Sequence, residues 1–89
     1  MKVTASFSPN PIRDRGSLGF SLPKEGKVSI HLYDARGRRV HTLVEGAWMA
    51  AGPHSVALDR RAAGLSTGMY FYRIEAEGAR KSGSLVILD

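Results

Sequence analysis

Between Lys2 and Ser8 apolar and polar residues alternate: Val3, Ala5 and Phe7 on one side, Lys2, Thr4, Ser6 and Ser8 on the other. A period of two sends successive side chains to opposite faces of an extended chain, so this stretch predicts an edge-compatible strand. Ser8-Pro9-Asn10-Pro11 ends it, because two prolines remove backbone donors and fix φ. Ile12 to Arg15 then leads through Gly16 into a second strand, Ser17 to Leu22, with Leu18, Phe20 and Leu22 on one face. Pro23-Lys24-Glu25-Gly26 is the next turn.

The clearest alternation runs from Lys27 to Asp34. Val28, Ile30 and Leu32 point one way; Lys27, Ser29, His31 and Tyr33 point the other. Asp34-Ala35-Arg36-Gly37 reads as a type I turn with glycine in the left-handed position, a common hairpin closure. Pairing Asp34 with Arg38 sets an expected register: Leu32 opposite Val40, Ile30 opposite Thr42, His31 opposite His41. Tyr33 then faces Arg39, an expected cation–π pair on the outer face. The hairpin is expected to span about Lys27 to Glu45.

Gly46 to Gly52 reads as a loop holding the single tryptophan, Trp48. A strand resumes from Pro53 to Asp59, with Val56 and Leu58 on one face. Arg60 to Gly64 suits a helical turn too short to stand alone. Leu65-Ser66-Thr67-Gly68-Met69-Tyr70 is a turn running straight into an aromatic, β-branched strand, Gly68 to Glu75, with Tyr70, Tyr72 and Ile74 on the core side. Gly68 supplies the permissive backbone. Tyr70 stands where the tyrosine corner of Greek-key sandwiches requires it, its hydroxyl bonding back to the chain a few residues upstream. After the turn Glu77-Gly78-Ala79, Ser82 to Leu88 ends the chain as an apolar strand whose continuous run leaves its facing open. About seven strands with turns every eight to twelve residues predict two packed antiparallel sheets, an all-β sandwich of immunoglobulin-like or fibronectin III-like type.

The 89 residues suit a single domain, 1–89. Its small size limits burial to roughly 60–65% of the unfolded surface. A 43% apolar content is enough for a core, and the absence of cysteine excludes disulfides and thiolate metal sites. No apolar run reaches the length of a membrane span, and the start Met1-Lys2-Val3-Thr4 lacks a signal-peptide core. The expected setting is a module cut from a longer chain. The net charge is +5, with the cations grouped at turns: Arg13 and Arg15; Arg36, Arg38 and Arg39; Arg60 and Arg61; Arg80 and Lys81. These groups are not interleaved with aromatics on one strand face, so a nucleic-acid partner is not indicated.

Candidate chemistry is sparse. His31 and His41 could meet on an outer face, but two ligands fall short of a zinc site, and His54 lies on another strand. There is no Gly-x-Ser-x-Gly elbow, no carboxylate pair at a forced spacing, no calcium loop and no phosphate-binding loop. No enzyme, metal or cofactor is expected. Trp48, with Phe71 or Tyr33, is a candidate sugar contact, since carbohydrate binding needs an exposed aromatic platform.

The ordered motifs resemble the C-terminal immunoglobulin-like modules of secreted proteins of the Bacteroidota, the type A sorting domains of the type IX (Por) secretion system. They also resemble the related immunoglobulin-like domain of the flagellar hook-capping protein. The resemblance rests on Pro9-Asn10-Pro11, Phe20-Ser21-Leu22-Pro23, Gly26-Lys27-Val28, Tyr33-Asp34 with Gly37-Arg38 and Val40, Leu43-Val44, Gly52 with His54 and Val56, Gly68-Met69-Tyr70-Phe71-Tyr72, and Lys81. It implies a non-catalytic module that ends a longer cargo, is recognised by outer-membrane secretion machinery, and delivers the cargo to the cell surface. In many such cargoes the module is removed and the cargo joined to a surface polysaccharide. Gly68, Tyr70 and Lys81, with the tail to Asp89, would form the recognised end. Pro9, Asn10, Pro11, Tyr33, Asp34 and Gly37 would be its structural motif. A terminal edge strand would offer unpaired backbone to a receptor. The other readings are a structural spacer, hook-cap-like or accessory to an enzyme, and a carbohydrate-binding module.

Overall fold

The seven expected strands form, with β4 running past the expected end at Glu45 and β7 starting at Ala79 rather than Ser82: β1 (Thr4–Ser8), β2 (Arg15–Leu22), β3 (Gly26–Tyr33), β4 (Arg39–Met49), β5 (Gly52–Asp59), β6 (Gly68–Ala76) and β7 (Ala79–Ile87). They come from a computed structural model that describes residues 3–88. Lys2, expected to open the first strand, and Asp89, expected in the recognised tail, lie outside the described residues. All neighbouring strands pair antiparallel, in a three-stranded sheet ordered β1-β2-β5 and a four-stranded sheet ordered β4-β3-β6-β7.

The core lies between the sheets and is built from the predicted inward rows. Phe7, Leu18, Phe20 and Leu22 come from one sheet; Val28, Ile30, Leu32, Tyr70, Tyr72, Ile74, Leu85 and Ile87 come from the other. The facing of the last strand, open in the sequence, is now fixed: Leu85 and Ile87 are buried, while Leu88 is exposed. Ile12, between β1 and β2, is also fully buried, and it bridges β7 in parallel at Ile87. Its N–H donates to the Val86 carbonyl and its carbonyl accepts from the Leu88 N–H, both at 2.8 Å.

A second tie between the sheets is made by Tyr72. Its ring crosses β7 directly over Gly83, where any Cβ would overlap it. The ring then packs edge-on against Phe7, and its hydroxyl donates to the Ala5 carbonyl of β1 at 3.2 Å. Burial raises the pKa of that hydroxyl, so it stays protonated and able to donate. A glycine inside a strand marks such a close approach.

The β3–β4 hairpin closes as predicted but departs from the expected register. Tyr33 does face Arg39, yet Leu32 faces His41, His31 faces Thr42 and Ile30 faces Val44. Three irregularities, each adding a residue to β4, cause the drift. A period-two count cannot foresee them. At one of them the Ser29 hydroxyl accepts from the Gly46 N–H at 2.9 Å, which satisfies a donor the bulge frees. His31 and His41 therefore do not pair. His31, expected exposed, is buried among its neighbours: Nδ1 lies 3.0 Å from the Thr42 hydroxyl and Nε2 3.5 Å from the Glu45 carboxylate.

The expected loop at 46–52 is also corrected. β4 runs on to Met49, with Trp48 opposite Lys27 and 64% exposed. Small residues around Trp48 suggested a loop, but Ala47, Trp48 and Met49 pair in regular register with Val28, Lys27 and Gly26. The turn after Asp59 matches expectation. The Asp59 carboxylate accepts from the N–H groups of Arg61 and Ala62, and the Leu65 N–H donates to the Arg60 carbonyl.

Candidate functional site

The motif residues sort by pole. At one pole lie the β2–β3 and β6–β7 turns, where the Lys24 side chain approaches Gly78 and Glu77 abuts Gly26. At the other lie the hairpin turn at 34–38, the start of β6 and the end of β7.

At the second pole, Asn10 uses its side-chain oxygen to accept from the Val86 N–H at 3.2 Å. Pro9 and Pro11 flank it, both after cis peptide bonds. Asn10 and Ile12 thus occupy the outer edge of β7 from Val86 to Leu88. Gly68 begins β6 opposite Ile87 with φ +147°, a conformation that favours glycine. Tyr70, opposite Leu85, is buried and donates its hydroxyl to the Ser66 carbonyl at 2.8 Å, which is the predicted tyrosine corner. Tyr33 ends β3 beside Phe71. The Asp34 carboxylate closes the hairpin by accepting from the Arg38 and Arg36 N–H groups and from Arg38 Nε at 3.0 Å. The backbone bond from Arg38 is the main cause that holds the Asp34 carboxyl below its ordinary range. Gly37 takes the left-handed position at φ +83°.

Lys81 stands apart from the other two expected recognition residues. It faces Ile74, six residues along β6 from Gly68, a distance of roughly 20 Å at strand rise. Gly68, Tyr70 and Lys81 therefore do not converge on one spot; what joins them is β7 itself. Trp48 likewise lies at the first pole, six residues along β3 from Tyr33 by its register with Lys27. It forms no common platform with Tyr33 and Phe71. The expected cation–π pair exists with a different cation: Arg73 of β6, not Arg39, sits 5.4 Å from the Tyr33 ring centre.

The outer face of the four-stranded sheet reads as rows across β3, β6 and β7. One row is Tyr33, Phe71 and Ser84; the next is His31, Arg73 and Ser82; the next is Ser29, Glu75 and Arg80. A groove of about 420 Å³ crosses the first two of these rows, from Ser82 past Phe71 and Arg73 to Tyr33 and Asp34. Phe71 is 41% exposed in it. The sequence offered no sign of this groove, because its members are brought together by cross-strand register.

The same register exposes an open edge. Val86 and Leu88 turn their backbone groups away from β6, toward Asn10 and Ile12. Backbone direction alternates along a strand, so Arg80, Ser82 and Ser84 also point outward. No described residue bonds their backbone groups there. The basic turns are partly neutralised: Arg15 pairs with Asp59 at 3.4 Å, Arg61 with Asp14 at 3.3 Å and Arg38 with Asp34 at 3.0 Å.

Fold and site together define an immunoglobulin-like β-sandwich module whose motif residues are divided between its two poles. The model of the family described as secretion system C-terminal sorting domain matches residues 6–88, and the chain belongs to that family. It is thus a sorting domain of type IX secretion, acting with the secretion machinery on a longer cargo chain that is secreted and attached to the cell surface. No curated protein matches the chain. Among solved structures, it is similar to the first immunoglobulin domain of mouse SynCAM 2. The TM-score is 0.48 at 9% identity, over 93% of this chain and 91% of that one. Among the described residues no helix is long and apolar enough to cross a membrane.

Proposed function

We propose that residues 1–89 form one non-catalytic module, the C-terminal domain of a longer secreted cargo, and that the secretion machinery reads it by adding an extended strand to β7. The supporting observation is the open edge at Arg80, Ser82 and Ser84, next to an edge already filled by Asn10 and Ile12. Unpaired edge groups are a template for strand addition, with backbone bonds giving affinity and side chains giving specificity. Gly68 and Tyr70 act from behind this edge: they fix the start of β6, which positions β7. Lys81 lies within the edge. The basic turns that keep unpaired cations favour an anionic surface polysaccharide over a neutral one, with an attraction that salt weakens.

The test is a secreted reporter fused ahead of this module in a cell that has the secretion system. Ser82→Pro removes an outward N–H without breaking a ladder bond, so folding should survive. Secretion of the Pro variant should fall by an order of magnitude or more while its melting temperature stays within a few degrees of the parent. Unchanged secretion of a folded Ser82→Pro variant would sink the proposal.

A further inference from the structure

The rows on the outer face continue into whatever strand lies beside β7, and they constrain its side chains. We infer that the segment added to β7 carries acidic residues beside Ser82 and Arg80 and an apolar residue beside Ser84. This rests on strand addition to β7 as proposed above.

The middle row is His31, Arg73 and Ser82. It contains no acid, and among the described residues Arg73 forms no ion pair; its guanidinium rests on the Tyr33 ring. Ser82 is short and lines the groove that leads to Arg73. A residue added beside Ser82 stands two strand spacings from Arg73, roughly 10 Å. A glutamate and an arginine close that span between them, over a serine. The next row in one direction ends in Arg80, which is exposed and has no described ion pair, although Glu75 is its register partner. The row in the other direction is Tyr33, Phe71 and Ser84, where the exposed Phe71 ring is screened from a newcomer only by another serine. Each position of the partner strand thus has a chemistry set by the β6 or β7 side chain that its row supplies. Cross-strand pairs of opposite charge and aromatic–apolar pairs are the stabilising ones, and like charges directly opposite are not.

The probes are two synthetic heptapeptides, Thr-Phe-Thr-Glu-Thr-Glu-Thr and its reverse order, which cover the antiparallel and parallel directions. A matched pair carries Lys in place of both Glu. Each is titrated into the 89-residue chain with backbone amide resonances observed. One Glu peptide should shift the amides of Arg80 to Ser84 and bind about 10-fold or more tighter than its Lys counterpart, with binding weakened by salt. Arg73→Glu combined with Arg80→Glu should reverse that order, and a thermal melt confirms that the variant is folded. Equal binding of Glu and Lys peptides, no binding of any of them, or a preference that survives the charge reversal overturns the inference. The secretion assay keeps the two ideas apart. If Ser82→Pro blocks secretion but the double charge reversal does not, strand addition stands and the acidic pattern fails. If neither variant changes secretion, strand addition itself fails.

Discussion

Gly83 carries more of the fold than its size suggests. The Tyr72 ring occupies the space a side chain would need, and through that ring β1 is held against the four-stranded sheet. Gly83→Val should therefore destabilise the domain by about 1–3 kcal/mol, the usual range for forcing atoms into packed space. Denaturant midpoints measure it. In a Tyr72→Ala background the same substitution should cost much less, because the ring it collides with is gone. A double-mutant cycle with no coupling between the two positions would refute this account. Tyr72 also shows why the Tyr-rich strand keeps two tyrosines on its inner row. Tyr70 bonds back within its own connection, whereas Tyr72 bonds across the sandwich.

Along β7 and the Leu88 that follows it the amides fall into three classes, and hydrogen exchange should separate them. Those of Lys81, Gly83 and Leu85 point toward β6 and should exchange slowly. Those of Val86 and Leu88 are bonded to Asn10 and Ile12 and should also be protected. Those of Arg80, Ser82 and Ser84 should exchange fastest in the strand; protection equal to their neighbours would mean that the edge is not open. Such element-level detail marks the limit of what the sequence made legible. Inward rows such as Leu18-Phe20-Leu22 and Val28-Ile30-Leu32 were readable because alternation is a local property. So were the hairpin turn at Asp34–Gly37 and the corner at Tyr70. The bulges of β4 were not, because an added residue leaves no local mark when its neighbours are Val40, Leu43 and Gly46. With the register lost, the partners of His31 were lost too. The cation over Tyr33 was missed for a different reason, because Arg73 comes from β6, whose pairing with β3 leaves no local mark. The groove and the open edge depend on register in the same way, so the candidate site was legible only as separate motif residues. Gly83 did leave a clue, an interior glycine in an otherwise regular strand.

Across the whole molecule, electrostatics should shape the response to acid. Asp34 and Asp59 both have carboxyls held below their ordinary value of 3.8, chiefly by backbone N–H donors, from Arg38 and Ala62 respectively. A depressed folded pKa contributes stability above the unfolded value, and that contribution is lost as pH falls through the folded value. Unfolding free energy should thus be level in this respect above about pH 5 and decline below about pH 4 as the unfolded chain takes up protons first. Asp34→Asn with Asp59→Asn should flatten that decline in urea titrations at successive pH values. A slope as steep as the parent's would show that other carboxylates govern it.

The two poles also give the module a direction of travel. β1 starts beside the β2–β3 turn, since Thr4 pairs with Ser21, while Leu88 lies at the far end of a body 36 Å long. Whatever precedes β1 in a longer chain leaves from the pole of Lys24 and Gly78. Asn10, Asp34, Gly68 and Tyr70 gather at the other. A cargo carried this way leaves the pole where Arg80 begins the edge proposed to take the added strand. A bulky cargo would therefore crowd that edge first, while Gly68 and Tyr70 stand most of a domain's length away.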